Sequence, residues 1–142
     1  RMLLSPEILT PTPLDTVASA HALARAPEGG LLLLDTPPVS PADRTRTHAI
    51  SGLLSTLGVD RVLLALPATL GARAAGQLLG ALAPLGACAV AITHADETDQ
   101  LAVAVEACCR FGLAPEYLLE RARPGGSFQR IDPNYLAERL LK

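Results

Sequence analysis

Two short aliphatic runs each stop at an acid, and that pattern leaves few folds open. Leu31-Leu32-Leu33-Leu34 leads into Asp35-Thr36-Pro37-Pro38, and Cys88-Ala89-Val90-Ala91-Ile92 leads into Thr93-His94-Ala95-Asp96. An unbroken apolar run of this length suits a strand buried on both faces, as central strands of parallel sheets are. An acid just past the carboxyl end of such a strand stands where open α/β sheets bind ligands.

The rest of the chain alternates in the same rhythm. Strands are predicted at Met2–Ile8, Leu31–Asp35, Arg61–Leu66, Ala87–Thr93 and Leu113–Leu119. Helices are predicted from Thr12 to Ala26, from the start signal at Ser40–Asp43 to Leu57, from Leu70 to Ala83, from Thr98 to Phe111, and from Asp132 to Leu141. Their ends carry ordinary chemistry. Thr12 and Asp132 are N-caps, and Ser40-Pro41-Ala42-Asp43 repeats the start signal of Thr12-Pro13-Leu14-Asp15. Pro13 and Pro133 suit a first helical turn, and Gly58 and Gly112 can close helices in the left-handed region. Arg121–Arg130, with Pro124-Gly125-Gly126, reads as a polar loop. The expected architecture is α/β, a three-layer, five-stranded parallel sheet with helices on both faces. One domain over residues 1–142 is long enough to bury one core. The chain opens at Arg1 rather than Met, which suggests a fragment of a longer protein.

Composition narrows the function. Hydrophobic residues make up 49% and aromatics 3%, so the core must be built from Leu, Ala and Val. The net charge is −2 and the arginines are scattered, which argues against nucleic acid as a partner. No apolar stretch is long enough for a transmembrane helix, and Met2-Leu3-Leu4 is too short for a signal peptide. The chain could still lie against a membrane surface. Cys88, Cys108 and Cys109 lack metal-ligand spacing and read as buried free thiols of a cytoplasmic protein.

Common catalytic motifs are missing. There is no Gly-x-Ser-x-Gly elbow and no His-Glu-x-x-His. His21 and His48 fall within predicted helices without a partnered motif. The chain's only lysine is Lys142, so there is neither a Walker A loop nor the strand lysine of a receiver-type phosphorylation site. The strand-end acids remain. Asp35 could hold Mg²⁺ or merely cap a loop. Asp96 could accept hydrogen bonds from a guanine edge, or favour the positive end of the following helix. Glu97 and Asp99 beside Asp96 leave room for an unrelated small α/β enzyme, although all three fall in one loop.

Four segments, in order, resemble the G domain of signal-recognition-particle-type GTPases, most closely the FlhF branch that places bacterial flagella. Leu31–Asp43 is similar to that family's Asp-Thr-Ala-Gly-Arg-Ser-Pro-x-Asp segment, and Leu66-Pro67-Ala68-Thr69 to a strand-end turn. Ala83-Pro84-Leu85-Gly86 matches Ala-Pro-Leu-Gly, and Thr93-His94-Ala95-Asp96-Glu97-Thr98 resembles Thr-Lys-x-Asp-Glu-Thr. The resemblance implies Asp35 and Thr36 toward Mg²⁺ and phosphate. It implies Thr93, His94 and Asp96 toward the base, and Gly125 and Gly126 in the loop that closes the base pocket. The family's P-loop half has no counterpart here.

The departures fall beside the acids. Pro38 replaces a glycine whose N–H approaches phosphate, and proline has no N–H. Val39 replaces an arginine, and His94 replaces the lysine whose stem covers the guanine. No glutamine is recognisable in Glu120–Gly126. The expectation is a degenerate GTPase-like domain that does not hydrolyse nucleotide alone and acts as an interaction or regulatory module. No cofactor is expected for the chain alone. The alternative is the C-terminal half of a GTP-binding GTPase, with GTP and Mg²⁺ bound once an upstream P-loop is present. A sheet cut in this way is also expected to self-associate or to dock on a protein partner.

Overall fold

The computed structural model describes residues 33–120 and 128–141. The predicted strand at Met2–Ile8, the helix from Thr12, His21, Gly125 and Gly126 lie outside the described residues. The chain divides between Asp35 and Thr36 into two units, and the fold described below belongs to the second.

Helix α1 (Arg44–Leu57) starts at the end of the Ser40–Asp43 signal, with Asp43 as the cap. The Asp43 carboxylate accepts the Arg46 N–H at 2.9 Å, which satisfies one of the donors a helix start leaves open. Gly58 ends the helix at φ 60°, donating back to Leu54 and Ser55. Strand β1 (Leu63–Pro67), helix α2 (Ala72–Leu82) with a 3-10 turn at Ala83–Leu85, and strand β2 (Ala89–Thr93) follow. Helix α3 (Leu101–Arg110), strands β3 (Ala114–Leu119) and β4 (Phe128–Arg130), and helix α4 (Pro133–Leu140) complete the described part. None of its helices is long and apolar enough to cross a membrane.

Among the described residues the sheet is four-stranded in the order β1-β2-β3-β4, where five strands were expected over the whole chain. The first three strands are parallel, and β4 runs antiparallel to β3, so the sheet is mixed rather than all-parallel. Leu64, Leu66, Val90, Ile92 and Leu118 form one face and share a single core with Leu54, Leu79, Ala104 and Cys108 of the helices. Leu66, Val90, Ile92 and Leu118 are fully buried, each stabilising the fold by roughly 1.5–3 kcal/mol through loss of apolar surface from water. Alternation along the strands puts Leu63, Ala65, Ala91 and Tyr117 on the other face. Leu63 is 45% exposed there.

Two expectations are corrected. Leu33–Asp35 has no regular structure, and Leu33 is 63% exposed. An aliphatic run becomes a strand only where a neighbouring strand takes up its backbone hydrogen bonds, and hydrophobicity alone does not supply that neighbour. The segment read as a polar loop contains β4. Phe128–Arg130 pairs with Tyr117–Leu119, and the Phe128 ring stacks on Tyr117 with centroids 5.0 Å apart. Cross-strand aromatic pairs of this kind stabilise a sheet, and a three-residue strand is too short to show a period.

Candidate functional site at the strand ends

Because β1, β2 and β3 are parallel, Pro67, Thr93 and Leu119 end at the same edge of the sheet. Two main-chain bonds join the three exits. Ala68 N–H donates to the Thr93 carbonyl at 2.8 Å, and Ala95 N–H donates to the Leu119 carbonyl at 3.1 Å. Ala68 and Ala95 are both fully buried. The small side chains let the loops close over the strand ends.

Between these anchors the β2–α3 loop turns sharply. His94 has φ 57°, the one positive value at a non-glycine among the described residues. Histidine tolerates that region better than most side chains, yet it still costs a non-glycine residue about 1–2 kcal/mol. Its Nδ1 lies 2.8 Å from Thr93 Oγ1, a hydrogen bond whose donor depends on the tautomer. Glu97 N–H donates to the His94 carbonyl at 3.1 Å. His94, Asp96 and Glu97 are exposed, and Thr93 is half-buried. Helix α3 begins only at Leu101, with Thr98 Oγ1 accepting the Gln100 N–H. Asp96 is therefore outside the first helical turn, five residues before Leu101 and beyond the reach over which a helix's positive end acts strongly.

The sequence-predicted residues are thus unequally placed. Thr93 closes β2 half-buried, and His94 and Asp96 follow it on an exposed loop at the carboxyl edge of the parallel strands. Thr36 is exposed in an irregular segment, followed by exposed Pro37 and Pro38, while Val39 packs half-buried against the core. Asp35 is exposed and belongs to the first unit. No group of three or more His, Cys, Asp or Glu residues suited to a metal ion occurs among the described residues. With no N–H at position 38 and an apolar, inward-packed side chain at 39, this segment does not fit the phosphate and Mg²⁺ cradle that the resemblance implies.

Sequence reading missed a polar network beside the loop. Tyr135 Oη donates to Glu120 Oε1 at 2.7 Å, and Arg139 lies 3.6 Å from the same carboxylate. Arg139 Nη2 also donates to the Ala95 carbonyl at 3.3 Å. The Glu120 carboxylate, accepting the phenol, raises the Tyr135 pKa above its ordinary value. The spacing of Tyr135 and Arg139, one turn apart on α4, was the available signal. Elsewhere, Arg61 and Glu116 pair across the sheet, which raises the Arg61 pKa.

The thiols also differ from expectation. Cys108 is buried, but Cys88 and Cys109 are exposed. Cys88 precedes the first residue of β2, and Cys109 falls on the outer side of α3, so neither apolar run encloses its thiol. A concavity of about 370 Å³, lined by Ser51, Ser55, Asp60, Val62 and Gly86, lies at the opposite end of β1 from His94.

The fold and this edge define a class, an open α/β domain with a polar loop at the carboxyl ends of its parallel strands. No protein-family model matches the chain, and a search of curated proteins finds no match.

Proposed function

We propose that the chain is a degenerate G-domain-like module of the signal-recognition-particle type, most like the FlhF branch, that does not hydrolyse nucleotide alone and works by contact with protein. The observation that carries this reading is the state of the segment after Asp35-Thr36. Val39 is turned onto the core instead of offering a cation, and Pro38 offers no donor. His94 at the base-reading position supports it, held against its own neighbour Thr93 and lacking a lysine's stem. The reading includes a three-layer form with helices on both faces of the sheet and a cytoplasmic setting for the free thiols. It also includes self-association through apolar sheet surface such as Leu63 and Phe128, both exposed.

A second reading is favoured by one observation. Thr93 and Asp96 keep a strand-end loop at the edge where a guanine reader belongs. On that reading the chain is the C-terminal half of a GTP-binding GTPase, completed by an upstream P-loop.

Titration calorimetry of the chain with GTP and GDP, each with and without Mg²⁺, tests the first reading. It expects no saturable heat at high micromolar nucleotide and is overturned by tight, Mg²⁺-dependent binding. The second is tested by the parent gene's upstream sequence, which must encode a Gly-x-x-x-x-Gly-Lys segment; its absence rules that reading out.

A further inference from the structure

The strand-end loop is held from outside by a helix that itself contributes no fully buried residue. Helix α4 is eight residues long, and none of them is buried. A helix this short is marginal alone, so tertiary contacts must keep it folded. Tyr135 and Leu136 pack partly against the core, and the Asp132 carboxylate caps the first turn. Among the described residues, its polar attachments include the ends of two strands. Tyr135 and Arg139 reach Glu120, the residue after β3, and Arg139 reaches Ala95, two residues after β2.

The Ala95 contact is placed to matter. Its N–H belongs to the peptide shared with His94 and is bound by Leu119, while its carbonyl belongs to the peptide shared with Asp96 and is bound by Arg139. With both peptides fixed, the left-handed His94 and the direction of Asp96 are fixed with them. A donor carrying a full charge binds a carbonyl more strongly than a neutral one. The docked arrangement is nevertheless incomplete. Arg139 Nε is buried without a hydrogen-bond partner among the described residues, and an unmet buried donor destabilises the state that buries it.

We infer that α4 is a latch on the β2–α3 loop, with Arg139 the positioning residue that holds the Ala95 carbonyl and so presents His94 and Asp96. When α4 undocks, the loop loses its outer anchor while the sheet beneath keeps its own. The consequence for function rests on the strand-end loop being the working edge of the domain; the latch itself does not.

Hydrogen exchange on the full chain, without any ligand, tests this. In Arg139→Ala the amides of Ala95 and Glu97 are expected to exchange at least about tenfold faster, with Val90, Ala91 and Ile92 unchanged, as in a local opening. Arg139→Lys, which restores a charged donor, is expected to recover part of the protection. Tyr135→Phe removes one attachment and leaves the ring packed, so it gives the same local pattern more weakly and serves if Arg139→Ala does not fold. Unchanged loop exchange in the variants overturns the latch. So does a parallel rise in loop and strand amides, which would make Arg139 merely structural. Neither result depends on nucleotide or partner binding.

Discussion

His94 occupies the left-handed region at φ 57° with its Nδ1 2.8 Å from Thr93 Oγ1. The side chain bonds locally and offsets part of the cost of that backbone conformation. Glycine has no such cost. His94→Gly is therefore expected to raise the unfolding free energy by about 0.5–1 kcal/mol, whereas the β-branched His94→Val lowers it by more than about 1 kcal/mol. Urea denaturation of the three proteins checks the order. A glycine variant less stable than the native chain would show that the imidazole contact outweighs the strain.

Gly58 provides the complementary case. At φ 60° it donates to the Leu54 and Ser55 carbonyls and turns the chain from α1 toward β1. Nothing lies within 4 Å of an added Cβ, so crowding plays no part in a substitution there. Gly58→Ala is expected to cost about 1 kcal/mol through backbone strain alone. A shift of several degrees in Tm would follow in a domain of this size, and an unchanged Tm would contradict the left-handed cap.

These two positions show what was legible in the sequence. Gly58 and Asp132 act through residues within one turn, and each cap falls where local chemistry placed it, whereas the Ser40–Asp43 start signal begins its helix only after Asp43, which takes the cap itself. Strands β1, β2 and β3 are bracketed by Gly and Pro and were readable for the same reason. Strand β4 was not, because Phe128 is ordered by Tyr117 across the sheet. The Leu31–Asp35 run failed in the opposite direction: its composition suits a strand, but at Leu33–Asp35 no strand forms. At the strand ends, one short motif was enough to place Thr93 at the close of β2 with His94 and Asp96 in the loop after it. The Arg139 contact joins residues 44 apart and needs the fold to exist first.

The cysteines give a direct test of packing. Cys88 and Cys109 are exposed, and burial pushes the Cys108 thiol up to about 11. Only the thiolate reacts with disulfide reagents. Two thiols per chain are expected to react promptly with such a reagent near pH 8, and the third only after denaturation. Labelling followed by peptide mass mapping identifies the slow site; fast reaction at Cys108 would mean the α3 core opens readily.

Alkaline pH should weaken the fold through two groups. Cys108 has its folded pKa raised from about 9 to about 11 by burial. Tyr135 is raised above its usual value, first by the hydrogen bond to Glu120. A raised acid favours the protonated form in the native state. Its contribution is therefore complete below the unfolded pKa and is lost as pH rises through the folded one. Unfolding free energy is expected to fall above pH 9 for Cys108 and above about pH 10 for Tyr135. Denaturation measured across pH 8 to 11 under reducing conditions checks this, and Cys108→Ala should flatten the lower part of the decline.

The outer sheet face bears on the proposed role as an interaction module. Leu63 is 45% exposed and Phe128 61% exposed, and Phe128 stacks on Tyr117. These exposed apolar side chains sit on the two edge strands of that face, with Ala89 and Ala91 of β2 buried between them, and a second copy of the chain would cover them symmetrically. Sedimentation velocity is expected to show concentration-dependent association, and Phe128→Ser should weaken it without unfolding, because the removed ring is mostly in solvent. A native chain that stays monomeric at high concentration would leave self-association without support. If the native chain and Phe128→Ser associate equally, the contact must lie on another surface.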